Sequence, residues 1–472
     1  MFLQLDRIAP NRIAVVDNYN NRITYGELCE YAEEIGVHVE PRSVVFCMCK
    51  NMAGALAGYI GLVNQGAIPV MLNAKIDGKL FERLFSIYKP AYIWAPSDLI
   101  EKFQYESVFE KLDYTLLKTE NTLYAVNEEL ELCMTTSGST GSPKLVRYKK
   151  GNLEANAANV ALAFGWTEEE RSICDLQMNY TMGLNIINSH LSVGACCLLT
   201  TYNLMSGDFW KYIKEEKGTN FCGVPFSYDI LKRLRFERME LPYLRTITEG
   251  GGKLTDERFR ELAEYAEKNG KRFIASFGTT ETSARMAVLP AEYALQKTGS
   301  IGKAIPNGEL FLIDSDGKAL TDPVAEGELC YKGPNVTMGY AVCKEDLNKG
   351  DEFNGVYHTG DLARRDEDGF YYITGRLSRF LKLLGYRVSL DECERLLQQE
   401  YEIECACSGT DECMKIYILD SNYEKKISDY ISLKIGIYDK KLFKVIVVPE
   451  ILRNESGKIR YKEMDFIYGR LQ

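Results

Sequence analysis

Three short stretches hold residue types able to do phosphate chemistry. TTSGSTGSPK, residues 135–144, is rich in Gly, Ser and Thr and ends on Lys144. That composition makes a flexible connector, but it also exposes backbone N–H groups able to cradle phosphate oxygens. An apolar strand-like run, Leu130 to Met134, leads in, and Pro143 stiffens the approach to the lysine. The spacing departs from the common G-x-x-x-x-G-K-[ST] loop, because Gly141 follows Gly138 closely and Leu145 follows the lysine. On spacing alone, a surface loop and a phosphate loop stand side by side. SFGTTETS (276–283) places Phe277 and two threonines past a strand end, then Glu281. A carboxylate there can hold Mg²⁺ and threonine hydroxyls can meet phosphate, although a polar turn reads the same way. NESGKIRYKEM (454–464) puts Lys458 in a tight polar turn, where a lone lysine is ordinarily just solvated.

Three more stretches are weaker taken singly. In EGGGKL (249–254) three glycines allow backbone to approach a flat ligand, or simply lead into a helix. YHTGDLARRDEDG (357–369) sets Asp361 after a Thr-Gly turn, where its carboxylate could accept both hydroxyls of a ribose. YYITGRLSRFLKLLGYRVSLDE (371–392) offers Arg376, Lys382, Gly385 and Arg387, or a basic surface turn.

Elements of regular structure must position these residues. Strands and helices alternate over most of the chain, which predicts α/β layers with parallel pairing. TYGELCEYAEEIG reads as a helix with Thr24 at its N-cap, Glu27 completing a capping box and Gly36 as a stop. SVVFCMC, AIPVML, AYIWAP, ELCMTT, CCLLTT, NFCGVP, LRTITEGGG and RFIASFG read as strands. From about Gly299 the rhythm shortens, and GELFLIDSDGK, GELCYKG and DGFYYITG predict an antiparallel or barrel-like subdomain. A last small α/β unit fills 378–472, with a second capping box at Ser389 and Glu392.

Bulk composition narrows the classes. A chain of 472 residues exceeds one core and predicts two to four domains or subdomains. The net charge of −10, with acids and bases mixed, argues against nucleic acid or an anionic membrane as partner. The 14 cysteines are scattered without C-x-x-C spacing, and MFLQLDRIAPNR carries no secretory pattern. Reduced thiols in a cytoplasm are expected. No run is apolar enough for a membrane span. His38, His190 and His358 are too dispersed for a metal cluster and read as surface or packed residues.

Taken in order, TTSGSTGSPK, SFGTTET, GELCYKGPNVTMGY, YHTGDL, GR…K..GYRVSLDE and NESGK resemble the motif set of the adenylate-forming (AMP-binding) superfamily. It contains acyl- and aryl-CoA synthetases, nonribosomal peptide synthetase adenylation domains and firefly-type luciferases. The likeness runs from TYGEL at residue 24 to NESGK. It implies a large N-terminal domain, 1–377, of layered α/β subdomains plus a β-barrel-like subdomain, and a small mobile α+β C-terminal domain, 378–472. It implies ATP and Mg²⁺, a carboxylic acid substrate, an acyl-adenylate with pyrophosphate released, and transfer of the acyl group to a thiol.

By the same resemblance, Thr136, Ser137, Gly138, Ser139, Thr140, Gly141 and Lys144 cover the β- and γ-phosphates. Thr280 meets the α-phosphate, Glu281 holds Mg²⁺, and Phe277 stands where the family has an aromatic ring on adenine. Gly250, Gly251 and Gly252 line the nucleotide and acyl sites. Asp361 binds the ribose hydroxyls with Arg376. Lys458 bridges the reacting carboxylate and α-phosphate. Ser378 sits at the hinge, and the loop from Lys382 to Gly385 serves the second half-reaction. Leu145 and Ser378 depart from the family's usual residues.

QMNYTMGLNIINSHLSVG bears on the acid. Amino-acid-activating members carry an aromatic-Asp pair here, and this chain has Tyr180-Thr181, which favours an acyl or aryl acid. Tyr180, Met182, Gly183 and Gly278 are the expected pocket residues. The thiol is coenzyme A or the phosphopantetheine arm of an acyl or peptidyl carrier protein. An amino-acid-adenylating enzyme, an amide ligase and a non-catalytic nucleotide-binding member remain the alternatives.

Overall fold

The computed structural model describes residues 1–135, 144–383, 386–435, 439–454 and 457–469. They divide into two compact units, one of residues 1–135, 144–310 and 331–357, the other of 311–330 and 358–469.

The first unit is built on two large sheets. In the nine-stranded sheet the strands run 303–304, 287–289, 272–277, 246–249, 220–223, 171–174, 196–199, 13–17 and 22–24. The eight-stranded sheet runs 340–341, 145–149, 130–135, 68–73, 44–49, 92–96, 114–118 and 106–111. Inner pairings are parallel, as the strand–helix alternation predicts. Strands covered by helices on both faces bury every residue, and Val44–Cys49 and Cys196–Leu199 do so without a polar interruption.

Helix Tyr25–Gly36 starts as its sequence dictates. Thr24 accepts from the Glu27 N–H, and the Glu27 carboxylate accepts from the Thr24 N–H at 2.8 Å. It packs on helix Ala53–Asn64, whose glycines let the two axes approach. A Cβ on Gly61 would lie 2.3 Å from the Ala32 carbonyl oxygen, and one on Gly58 would lie 1.9 Å from Trp94 Nε1. Trp94 fills that gap and donates to the Gly54 carbonyl at 3.0 Å. Among the described residues no helix is long and apolar enough to cross a membrane.

The second unit holds most of a four-stranded sheet in the order 309–313, 325–332, 356–365, 371–376, where the sequence predicts an antiparallel or barrel-like part. A hairpin, 380–383 with 386–389, and a three-stranded sheet, 405–410, 413–418 and 443–447, follow. Ser389 caps helix Leu390–Tyr401 as expected, but the expected box is half-made: the Glu392 carboxylate turns to Arg395 instead, because an exposed i,i+3 guanidinium competes for it.

His190 is a packed histidine, 1% exposed on helix Thr181–Leu191. Its Nδ1 is 2.7 Å from the Ile186 carbonyl oxygen and its Nε2 3.1 Å from Asn220 Nδ2. The neutral ring with Nδ1–H satisfies both contacts. Burial drives its pKa down to about 4. A histidine held neutral contributes stability above its ordinary pKa of about 6.5, and loses it as pH falls towards about 4. Lowering pH from 7.5 to 4.5 should therefore cost up to about 3 kcal/mol through this ring, and His190→Gln should flatten the fall in melting temperature over that window.

Candidate active site

Residues 136–143, with Thr136, Ser137, Gly138, Ser139, Thr140 and Gly141, lie outside the described residues. Strands Leu130–Thr135 and Leu145–Lys149 flank them as an antiparallel pair, with Thr135 opposite Leu145. Leu145 is fully buried between Thr135 and Ala341. It is the first core residue of a strand, which accounts for a large apolar side chain where the family has glycine.

Lys144 stands over an aromatic face, its Nζ 3.4 Å from the centre of the Tyr340 ring. The Tyr340 hydroxyl donates to Glu281 Oε1 at 2.7 Å. Burial first, and the Glu281 charge second, push the Tyr340 pKa far above its ordinary value, so this hydroxyl stays a donor. One tyrosine thus joins the lysine at the end of the Gly/Ser-rich stretch to the carboxylate of TTET. Tyr340 belongs to GELCYKGPNVTMGY, and only its place in that motif pointed to it.

The rest of that motif buttresses Glu281. The Thr337 N–H donates to the Glu281 carbonyl at 3.0 Å. Asn335 Nδ2 donates to the carbonyls of Thr282 at 2.7 Å and Arg285 at 3.2 Å, and Ser283 Oγ donates to the Asn335 carbonyl at 2.9 Å. Thr280 is held from the other side: its carbonyl accepts from Tyr148 at 2.8 Å and its hydroxyl from Thr181 at 3.2 Å. Phe277 ends the strand Arg272–Phe277, half-buried and opposite Ala287.

The predicted pocket residues come together at the carboxyl ends of neighbouring strands. Strands 171–174, 220–223, 246–249 and 272–277 are consecutive and parallel. Ligands of α/β sheets bind at such ends. Gly250, Gly251 and Gly252 continue the third strand. A Cβ on Gly251 would lie 2.6 Å from the Tyr180 hydroxyl and 2.7 Å from Met182 Cε, so only glycine lets these side chains reach the backbone. One on Gly250 would meet Ser276 Oγ at 2.8 Å, and one on Gly252 the Pro225 ring at 2.9 Å. Gly183, in helix Thr181–Leu191 after strand 171–174, packs on the carbonyls of Leu176 and Gln177. Gly278 packs on the Ala284 carbonyl.

The sequence reading passed over two ionisable groups here. Arg285 is 3% exposed and Glu249 5% exposed. Burial raises the Glu249 pKa well above the ordinary carboxylate range, against the Arg285 charge, which lowers it. Their signal in the sequence is slight: a charge beside a glycine run and another beside TTET.

In the second unit Asp361 and Arg376 face each other across strands Val356–Arg365 and Tyr371–Arg376, with Nε 2.8 Å from Oδ1. The expected Thr-Gly turn is instead an interior stretch of strand, in which Gly360 takes φ +70° and Thr359 Oγ1 accepts from the Asp361 N–H at 3.0 Å. Burial raises the Asp361 pKa, opposed by the charges of Arg376 and, more weakly, Lys458. Lys458 is exposed on a hairpin closed by Asn454, whose Oδ1 accepts from the Lys458 N–H at 2.8 Å and whose N–H donates to the Lys458 carbonyl at 2.9 Å. Ser378 is exposed in the turn between strands 371–376 and 380–383. The Lys382 backbone pairs with Arg387. Gly385 and the Lys382 side chain lie outside the described residues.

The AMP-binding enzyme family matches residues 5–341. The 2-succinylbenzoate–CoA ligase of Bacillus cytotoxicus is 30% identical over 405 residues, 83% of this chain and 80% of that protein. The enzyme of that name from Bacillus cereus is 27% identical over 97% of this chain and 96% of its own length. Among solved structures, O-succinylbenzoate coenzyme A synthetase from Bacillus subtilis in complex with AMP aligns with a TM-score of 0.80 at 24% identity, covering 98% of this chain and 97% of its own, and shares the fold.

Tyr340→Phe removes a hydroxyl bonded to a charged carboxylate and keeps the ring beneath Lys144. A bond of that kind is worth about 1.5–3 kcal/mol, so kcat for ATP–pyrophosphate exchange should fall roughly 10- to 100-fold, with a modest fall in melting temperature and the protein still folded. Tyr340→Ala, which also removes the ring, should lose more.

Proposed function

Because the chain belongs to the AMP-binding, adenylate-forming enzymes, we propose a role for each residue above in acid–coenzyme A ligation. The chain is an ATP-dependent, AMP-forming acid–thiol ligase. A carboxylate is a poor electrophile; a mixed anhydride with AMP gives it a good leaving group, which a thiolate then displaces. The first step brings an anion against a polyanion, so positive charge and donors must stand where charge builds up.

Lys144, with residues 136–141, takes the β- and γ-phosphates. Thr280 donates to the α-phosphate. Glu281 offers a hard carboxylate oxygen, fixed by Tyr340, that suits Mg²⁺, and the ion when bound neutralises phosphate charge. Phe277 stacks on adenine beside Gly250–Gly252. Asp361 accepts from the ribose hydroxyls, and Arg376 opposes the rise that burial gives that carboxyl's pKa. Lys458 bridges the attacking carboxylate and the α-phosphate. We take residues 378–472 as the C-terminal domain that moves about Ser378 between half-reactions, so that the Lys382–Gly385 loop serves the thiol step.

Coenzyme A is our reading of the thiol, since the relatives carry it in their names, in preference to a carrier-protein arm. An acyl or aryl acid is our reading of the substrate, and 2-succinylbenzoate, the relatives' acid, is the first to try. A cytoplasmic setting fits the 14 unpaired thiols. The observation that carries the whole assignment is the Lys144–Tyr340–Glu281 arrangement beside Thr280.

Carboxylate-dependent ATP–pyrophosphate exchange over an acid panel tests it. Exchange is expected with at least one acyl or aryl acid, and Lys458→Ala should reduce it at least 100-fold. Exchange with α-amino acids alone would sink the choice of acid, and exchange unchanged in Lys458→Ala would sink its role. Mass spectrometry after adding coenzyme A should show the thioester.

A further inference from the structure

Arg285 lies among the residues assigned to the acyl pocket, and its own partners do not explain why a charge is buried there. Its Nη2 is 3.2 Å from Cys222 Sγ, its Nε is 3.3 Å from Ser276 Oγ, and its Nη1 donates to Asn185 Oδ1. A thiol that burial keeps protonated, a hydroxyl and an amide are all neutral. Among the described residues no carboxylate hydrogen-bonds or ion-pairs with it, and Glu249 acts on it only as a nearby charge that raises its pKa. Removing a guanidinium from water is costly unless an anion or a dense donor–acceptor set compensates.

The guanidinium is also held still. Asn185 Nδ2 donates to Asn156 Oδ1, and Asn156 Nδ2 donates at 2.9 Å to the carbonyl of Arg285 itself. The ring of Phe164 lies 5.1 Å away on one side. Cys222 Sγ is 3.5 Å from Met182 Sδ, and Met182 reaches Gly250 and Gly251. Arg285 therefore stands two side chains removed from the glycine wall by this path, and one removed through Ser276, whose Oγ a Cβ on Gly250 would meet at 2.8 Å.

Glu249 supplies a second, independent observation. It is the last residue of strand Thr246–Glu249, and its buried Oε1 has no hydrogen-bond partner. Burial raises its pKa well above the ordinary carboxylate range, and in its neutral form this carboxyl donates an O–H. A fixed cation, a neutral carboxyl donor and the Tyr180 hydroxyl make a donor-rich environment. Its complement is an acceptor that carries negative charge.

Resting on the ligase reading, we propose that Arg285, with Glu249 and Tyr180, forms the far end of the acyl pocket and binds a second carboxylate of the acid, the one that does not react. Arginine suits this task because its planar fork meets a carboxylate at two points. The second carboxylate supplies the counter-charge that the protein withholds. A monocarboxylic acid of the same shape leaves the guanidinium unpaired, so the pocket selects dicarboxylic acids.

Sets of matched acids test this, each set a diacid, its half methyl ester and an amine analogue. Adipate, monomethyl adipate and 6-aminohexanoate make one; terephthalate, monomethyl terephthalate and 4-(aminomethyl)benzoate make another; 2-carboxyphenylacetate, its half methyl esters and 2-(aminomethyl)phenylacetate make a third. ATP–pyrophosphate exchange is read as kcat/KM for the wild type, Arg285→Met, Arg285→Lys and Glu249→Gln. The wild type should favour diacid over half ester by at least about 100-fold, the range expected where a site's buried polar groups would be left unpaired. In Arg285→Met the preference should fall below about tenfold, mainly through a rise in KM for the diacid, with exchange on the half ester kept or improved. Arg285→Lys, which keeps the charge in a smaller head, should retain part of the preference even if Arg285→Met does not fold. Glu249→Gln keeps a neutral donor and should preserve it. Equal use of diacid and half ester by the wild type overturns the proposal, as does preference for the amine analogue or an equal loss on both acids in Arg285→Met. No exchange with any acid overturns the ligase reading itself and this proposal with it.

Discussion

The backbone turn from Gly278 to Arg285 is the constraint on which the first unit's chemistry depends. Ser283 and Ala284 both take left-handed conformations, with φ +55° and +90°. Non-glycine residues held there cost of order 1–3 kcal/mol each and persist only when their surroundings over-determine them. Asn335 does so by donating to the carbonyls of Thr282 and Arg285 and accepting from Ser283 through its own carbonyl. Gly278 makes the return possible, since a Cβ there would lie 1.9 Å from the Ala284 carbonyl oxygen. The folded-back turn sends Glu281 towards Tyr340 and Arg285 towards Cys222. A single strained segment thereby holds the carboxylate suited to a metal and the cation suited to an acid.

That turn has a fixed address because the sheet beneath it is parallel. Thr246–Glu249 and Arg272–Phe277 run side by side in register, Glu249 opposite Ala275. Their carboxyl ends open at one level, where the backbone leaves the sheet. Glycine then sets how closely side chains may approach, and Gly251, at φ +78°, admits Tyr180 and Met182 to the chain itself. The helix carrying Met182 also carries Asn185, which fixes Arg285. Pocket shape and pocket charge thus share one helix and two strand ends.

What the sequence disclosed follows from the range of the interactions. Thr24 and Glu27 cap a helix through bonds spanning three residues, so the pattern is readable locally. Buried strands read as apolar runs for the same reason. Motif order singles out Thr280 and Glu281, and QMNYTMG singles out Tyr180 and Met182, which the structure sets against Gly250 and Gly251. Tyr340 meets Glu281 across 59 residues and Asn335 meets Thr282 across 53, and no local pattern announces such pairs. Leu145 looked like a defect in a phosphate loop, whereas its position is decided by the strand core it enters. Nothing in the sequence singles out Arg285, since burial is decided by the helices packed over a strand end and leaves no trace in neighbouring residues. Asp361 fell in a predicted turn because Gly360 can take positive φ within a strand as readily as outside one.

The cations divide by how they are held, and the division matches what each has to do. Lys144 and Lys458 sit at the end of a Gly/Ser-rich stretch and on a polar hairpin, on long stems at partly or fully exposed positions. Their proposed partners, phosphate oxygens and a reacting carboxylate, change charge and position during the reaction, and a flexible ammonium can follow them. Arg285 is locked by Asn185, Ser276 and Cys222, and its proposed partner does not react. A group that only has to be recognised gains from rigidity, because the ordering cost has been met in folding and is not charged again on binding. On this reading a rigid guanidinium would serve recognition and the longer ammonium stems the chemistry, so that one fold could both select its acid and follow the reacting charges.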